Sequence, residues 1–251
     1  MWVQVVATNR YGLVFPECNP NGVANPTSRI RAQPLARASG LIAQVDAQLA
    51  AGGFTSRDLS LVMVGAHDVA DALALYPATD VGTLVAQVSE AGRVLGRQVN
   101  RMADGGSKVI VATVIDLQAS PLAASLPGVN AEVACPRVQG ESERLRLTVC
   151  LVDRFNAAMR TTIYNDGRRI GLARGDVVIR NVLQFPQVFG FSNLTEAACA
   201  SSAPAPNCTS ATLVPGATAG TWLWSQGIQL SPGGHAQLGS EAANRAATNP
   251  F

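Results

Sequence analysis

Apolar residues recur along this chain in two distinct periods, and the switches between them mark out its elements. Over residues 35–51, Leu41, Ile42, Val45 and Leu49 return at helical spacing, and Gly52-Gly53 ends the pattern. Residues 59–64 then form a nearly continuous apolar run closed by Gly65, the signature of a strand covered on both faces in a parallel sheet. A long helix is predicted over 81–102, with Leu84, Val88, Leu95, Val99 and Met102 on one face and Asp104-Gly105-Gly106 behind it. Residues 108–114 read as a second buried strand. A helix over 141–160 carries Leu145, Val149, Val152, Phe155 and Met159, and residues 169–183 contain a further strand. Ser231-Pro232 signals the start of a closing helix over 233–246. Residues 1–34, rich in Pro, Asn and Gly, read as a short helix followed by an irregular surface segment.

Helices alternating with buried strands predict an α/β fold, a three-layer α/β/α sandwich around a parallel sheet, in one domain spanning 1–251. In such a sheet the chemistry belongs at loops leaving the carboxyl ends of strands. That directs attention to Gly65-Ala66-His67-Asp68 and to Asp116-Leu117.

Composition narrows the function. Only 14% of residues are charged and the net charge is +2, with arginines spread singly and no basic cluster interleaved with aromatics, so nucleic acid is not an expected partner. No apolar run reaches the roughly 20 residues of a transmembrane helix. Met1-Trp2-Val3-Gln4 lacks a basic region followed by an apolar core, so no signal peptide is read here. None of the five cysteines forms a C-x-x-C pair, which argues against zinc or thioredoxin chemistry; no metal or other cofactor is expected. Cys199 and Cys208 bracket a polar loop short enough for a disulfide, which points to an oxidising compartment. Cys135 and Cys150 form a second pair, or Cys150 is a buried free thiol within its helix.

A series of motifs carries a family likeness. Leu61-Val62-Met63-Val64-Gly65-Ala66-His67-Asp68 has the form of a strand followed by G-x-N-D, and Val114-Ile115-Asp116-Leu117 with Ser120-Pro121 has that of a P-D-x-x-x-x-P strand end. Arg154-Phe155-Asn156-Ala157-Ala158 is similar to an F-N-x-x-L helix signature, and Phe189-Gly190-Phe191-Ser192-Asn193 precedes Cys199 and Cys208. The stretch from Trp222 through Gln226, Gln229 and Gly234 to His235 parallels a terminal block of the form W-D-G-V-H-P-T-x-x-G-H. In this order the motifs resemble the SGNH/GDSL family of secreted bacterial esterases and lipases, over essentially the whole chain, with Trp2-Val3-Gln4 falling just after that family's first block. The resemblance implies a secreted or periplasmic hydrolase acting on small acyl esters or lipids. It also implies a Ser nucleophile on a G-D-S loop, an Asp and a His near the C-terminus, and an oxyanion hole.

The chain departs from that pattern at the reacting groups. It contains no G-D-S, and the likeness begins after the block that would carry the nucleophile and the first, central strand of the sheet. Gln226 and Gln229 stand where the resemblance places Asp and His, and a carboxamide neither accepts a proton near neutral pH nor compensates an imidazolium. His67 stands at the oxyanion Asn, where an imidazole N–H still donates. Thr27 falls near the second block's Gly, and Thr27, Gly65, His67 and Asp68 would line the cleft. His235 matches a second, structural His and reads as a packing or capping residue, its alternative being the base. Asp68 and Asp116 read as acceptors for backbone amides at strand ends, and the sequons at Asn193 and Asn207 carry little weight in a sequence of bacterial style. Three readings follow: an inactive ester hydrolase homologue, which leads; a non-catalytic binding module on the same scaffold; and an active esterase whose Ser lies upstream of Met1, with His235 as base.

Overall fold

Val109, Ile110, Val111 and Ala112 are wholly shielded from solvent, as a strand must be when helices cover both faces of its sheet. They form β2 (Lys108–Ala112), the middle strand of a three-stranded parallel sheet between β1 (Leu59–Val62) and β3 (Ile170–Ala173), in registers that pair Leu59 with Lys108 and Val109 with Ile170. The computed structural model describes residues 1–126, 143–202 and 207–248, the side chains of 143–145 excepted.

On one side pack α2 (Gly40–Ala50), α3 (Ala66–Leu75), α4 (Val81–Asp104) and α6 (Glu143–Thr162); on the other, α1 (Trp2–Tyr11), α7 (Gly175–Gln184) and α8 (Pro232–Ala247). The α/β/α sandwich read from the sequence is therefore the observed architecture. A single buried cluster takes in Trp2 and Val6, the strands, and Leu238 and Ala242. A smaller sheet, β4 (Asn193–Ala197), β5 (Trp222–Gln226) and β6 (Gln229–Leu230), stands apart from the main one, and α5 (Pro121–Ser125) packs against β4. Among the described residues no helix is long and apolar enough to cross a membrane.

The strongly periodic elements fall where the pattern placed them. Asp80 caps α4 by accepting the Thr83 N–H, and Leu84, Val88, Leu95, Val99 and Met102 are all buried. Gly92 and Gly96 let α4 lie directly against the α6 backbone and Thr162, where any Cβ would collide. Ser231 caps α8 through the Gly234 N–H, with Pro232 at the first helical position.

Elsewhere the structure differs. Helix α2 starts at Gly40 rather than residue 35, because the preceding segment is tied to α3 by Arg37–Asp71 and Ala38–Asp68 hydrogen bonds and Leu35 has a φ of 58°. Its apolar face is also narrower than expected: Leu41 and Val45 are buried, whereas Ile42 and Leu49 are 40% and 39% exposed. The run 59–64 contributes only four residues to the ladder. The region 169–183 holds a strand and then a helix, α7, with Ile179 and Val182 inward. On α6, Val152, Phe155 and Met159 are buried, Val149 is half-buried, and Leu145 lies outside the described side chains.

Candidate functional site

Gly65 turns β1 into α3 with a φ of 122°, and a Cβ there would run into the Phe155 ring of α6. Two independent constraints thus select glycine. We expect Gly65→Ala to lower stability by about 1–3 kcal/mol through overpacking and backbone strain. The test is the chemical denaturation midpoint of the variant, and trimming the ring in a Phe155→Leu background should recover part of the loss.

The turn delivers His67 and Asp68 into the first helical turn of α3. Burial pushes His67 below the usual imidazole range, the Arg37 charge acts in the same direction, and Asp71 opposes both. Burial pushes Asp68 above the usual carboxylate range, against the hydrogen bond it accepts from the Ala38 N–H at 2.9 Å. Arg37 grips Asp71 with two bonds of 2.8 and 2.9 Å. The sequence reading had no signal for Arg37 and Asp71, which are 34 positions apart.

Past the end of β2, buried polar groups meet in pairs. The Asn156 side chain donates to the Val114 carbonyl and accepts the Val114 N–H, both at 2.9 Å. The Thr113 hydroxyl donates to Asp176, and Arg160 donates to the other oxygen of that carboxylate at 2.8 Å. Asp116, fully buried, accepts the Gln118 N–H and the Arg180 Nε. Burial works against the Arg180 charge, but its bonds to Asp116 and Asp153 outweigh that and raise it above its ordinary value.

Gln226 and Gln229 pair across a hairpin between β5 and β6, where Gly227 takes a φ of 54°. The Leu122 N–H donates to the Gly227 carbonyl, which holds the hairpin tip against α5 and so near the segment leaving β2. Trp224, buried, anchors β5 by donating its indole N–H to the Leu194 carbonyl at 2.8 Å. Cys199 and Cys208 form the expected disulfide, Cα to Cα 5.8 Å, and the Cys199 N–H bonds the Ser225 carbonyl at 3.0 Å. Cys150 is buried and disulfide-bonded, which corrects the free-thiol alternative, while Cys135 lies outside the described residues. The Asn193 side chain accepts the Thr195 and Glu196 N–H groups; Asn207 is exposed.

His235 lies in the first turns of α8, and its Nδ1 is buried with no partner. Burial, aided by the positive charge of the Met1 amine, lowers it to about 4. Thr27 is exposed in the irregular segment before α2.

The site residues therefore form separate groups: His67 and Asp68 with Arg37 after β1, Asp116 with Arg180 after β2, the Gln226–Gln229 hairpin beside α5, and His235 on α8. Among the described residues no ion pair joins one group to another: Arg37 pairs with Asp71, and Arg180 with Asp116 and Asp153. Nor do the described residues contain a group of three His, Cys, Asp or Glu side chains able to hold a metal ion. Two surface cavities lie elsewhere: one of about 230 Å³ bordered by Gln4, Phe15 and Cys18, and a groove of about 330 Å³ between α1 and α8 bordered by Arg10 and Asn244. No protein-family model and no curated protein matches the sequence.

Proposed function

We propose that this chain is an SGNH/GDSL-type ester hydrolase homologue that does not itself hydrolyse esters. One observation carries the reading: the two positions that the resemblance assigns to Asp and His hold Gln226 and Gln229, paired at the tip of one hairpin. Two carboxamides in that place cannot remove a hydroxyl proton or balance an imidazolium. His235 does not replace them. A general base works best with a pKa near the working pH, and an imidazole lowered to about 4 is too weak, besides being shut from solvent at Nδ1.

The substrate class implied for the scaffold is a small acyl ester or lipid, and secretion into the periplasm or medium is part of the proposal. The Cys199–Cys208 disulfide fits an extracellular location.

Hydrolysis of p-nitrophenyl acetate and butyrate by the purified chain tests the reading. The expected rate equals that of buffer, unchanged in His235→Ala and unchanged in Gln226→Asp/Gln229→His, since a base and its partner do nothing without a nucleophile. Turnover by the wild-type chain that vanishes in His235→Ala would overturn the assignment and establish His235 as the base.

A further inference from the structure

Val188 is 80% exposed, more than any other large apolar side chain among the described residues, and Phe185 is 51% exposed. A tight turn joins them: the Val188 N–H donates to the Phe185 carbonyl at 3.0 Å, which keeps their Cα atoms within about 7 Å. The turn is rooted in the core, where Phe191 is buried and Phe189 packs against the main cluster. The Phe189 and Phe191 N–H groups both donate to the Pro186 carbonyl, and the Gly190 N–H donates to that of Gln187. Pro186 has no N–H, so this tip satisfies most of its own main-chain donors.

Its surroundings lack charge. Between residues 181 and 240, Glu196 is the one Asp, Glu, Lys or Arg, although 14% of the whole chain is charged. A second uncharged loop, residues 214–221, lies beside the tip, held there by the Ser192 N–H, which donates to the Thr221 carbonyl at 2.8 Å. That loop is also bonded within itself. The Ala217 N–H donates to the Val214 carbonyl, the Thr221 N–H to the Thr218 hydroxyl, and the two threonine hydroxyls bond each other at 2.7 Å. Pro215 and Ala219 are exposed on it.

We propose that these two loops dock the chain on a lipid surface of zwitterionic headgroups, with Phe185 and Val188 seated among the upper parts of the acyl chains. Three observations select that occupant. The tip projects and borders neither of the two surface cavities; a protein partner would have to supply a socket for it, whereas a bilayer needs none. Main-chain groups that enter the acyl region must find their partners within the protein, and those of the tip largely do. Anionic lipid is recognised by clustered Lys and Arg, of which residues 181–240 have none, so the face suits a neutral interface. Docking of this kind needs no reacting group and stands apart from the ester reading.

The test uses the chain carrying Cys18→Ser, which removes the exposed free thiol, and vesicles of phosphatidylcholine alone. The chain should sediment with these vesicles, and raising the salt to about 1 M should change binding by less than about twofold, since no charge is engaged. Val188→Asp should weaken binding at least about tenfold with unchanged circular dichroism, because a carboxylate is costly in the acyl region and disturbs no packing at so exposed a position. A solvatochromic label on Val188→Cys should shift to the blue when vesicles are added. The same label on Leu49→Cys of α2, across the sheet, should not. Should Val188→Asp fail to fold, the two labels decide. Absence of binding to phosphatidylcholine overturns the proposal, as does binding that requires anionic lipid and is lost in salt. So does a label at position 188 that stays in water on the vesicle. A lipid-free dimer that Val188→Asp dissociates also overturns it, because a second copy would then cover the tip.

Discussion

Asn156→Ala should destabilise the protein by about 2–5 kcal/mol. The Asn156 carboxamide is fully buried and serves both main-chain groups of Val114, a residue also shielded from solvent. Truncation strands a buried N–H and a buried carbonyl, each costing about 1–3 kcal/mol. Against a total stability of roughly 5–15 kcal/mol for a domain, that is a large fraction. Asn156→Asp should fare no better: a carboxylate still accepts the Val114 N–H but has no proton for the Val114 carbonyl, and it brings an unpaired charge into the core. Urea midpoints for the two variants check this. A shift below about 1 kcal/mol in Asn156→Ala would mean that a water takes over both bonds.

The consequence extends beyond stability. Val114 leads into the segment bearing Asp116 and α5, and α5 in turn holds the Gln226–Gln229 hairpin through the Leu122 N–H. The neighbouring Phe155 packs under Gly65. One dipeptide of α6 therefore fixes the exits of both β1 and β2. The Phe-Asn motif that contributed to the family likeness acts here as a structural tie between two candidate groups.

How much could be read from the sequence depended on how local the cause was. Helix α4, strand β2 and the start of α8 announce themselves through periodicity or a cap, and each lies close to its predicted span. Helix α3 was missed. Its ten residues begin with the Ala-His-Asp stretch that resembled a loop motif, and only Val69, Ala72 and Leu73 form its buried stripe. Helix α7 follows β3 within the stretch 169–183, from which only a strand was read; the β-branched Val177-Val178-Ile179 carries little helical signal, and tertiary packing selects the face of Ile179 and Val182. The sheet β4–β6 depends on pairing between segments some 30 positions apart, and on Gly227 for its hairpin. The site behaves in the same way. The identities of Gln226, Gln229, His67 and His235 are plain in the sequence, but the Arg180–Asp116 bond spans 64 positions, and the burial of His235 follows from packing rather than from any local pattern.

That burial should dominate the response to acid. An unfolded histidine takes up a proton near pH 6.5, whereas His235 in the folded chain holds out until about 4. Between those values the unfolded state binds the proton that the folded state refuses, so stability falls as pH falls and is fully present only above the unfolded value. Across the window the loss amounts to about 3 kcal/mol. His67, the other of the two histidines, is lowered as well and adds in the same direction. Asp68 acts oppositely: raised by burial, it takes up its proton before the unfolded chain's Asp does and offsets part of the loss at the acid end. Unfolding free energies of the wild type at pH 7 and pH 4.5 should therefore differ markedly, His235→Gln should flatten most of that difference, and His67→Gln should flatten little. The same histidine can be titrated by following its imidazole Cε1 proton by NMR. A value near 7 would abolish the acid limb and return His235 to contention as a base; a value near 4 would tie the missing catalytic strength and the acid sensitivity to one cause, the desolvation of a single ring.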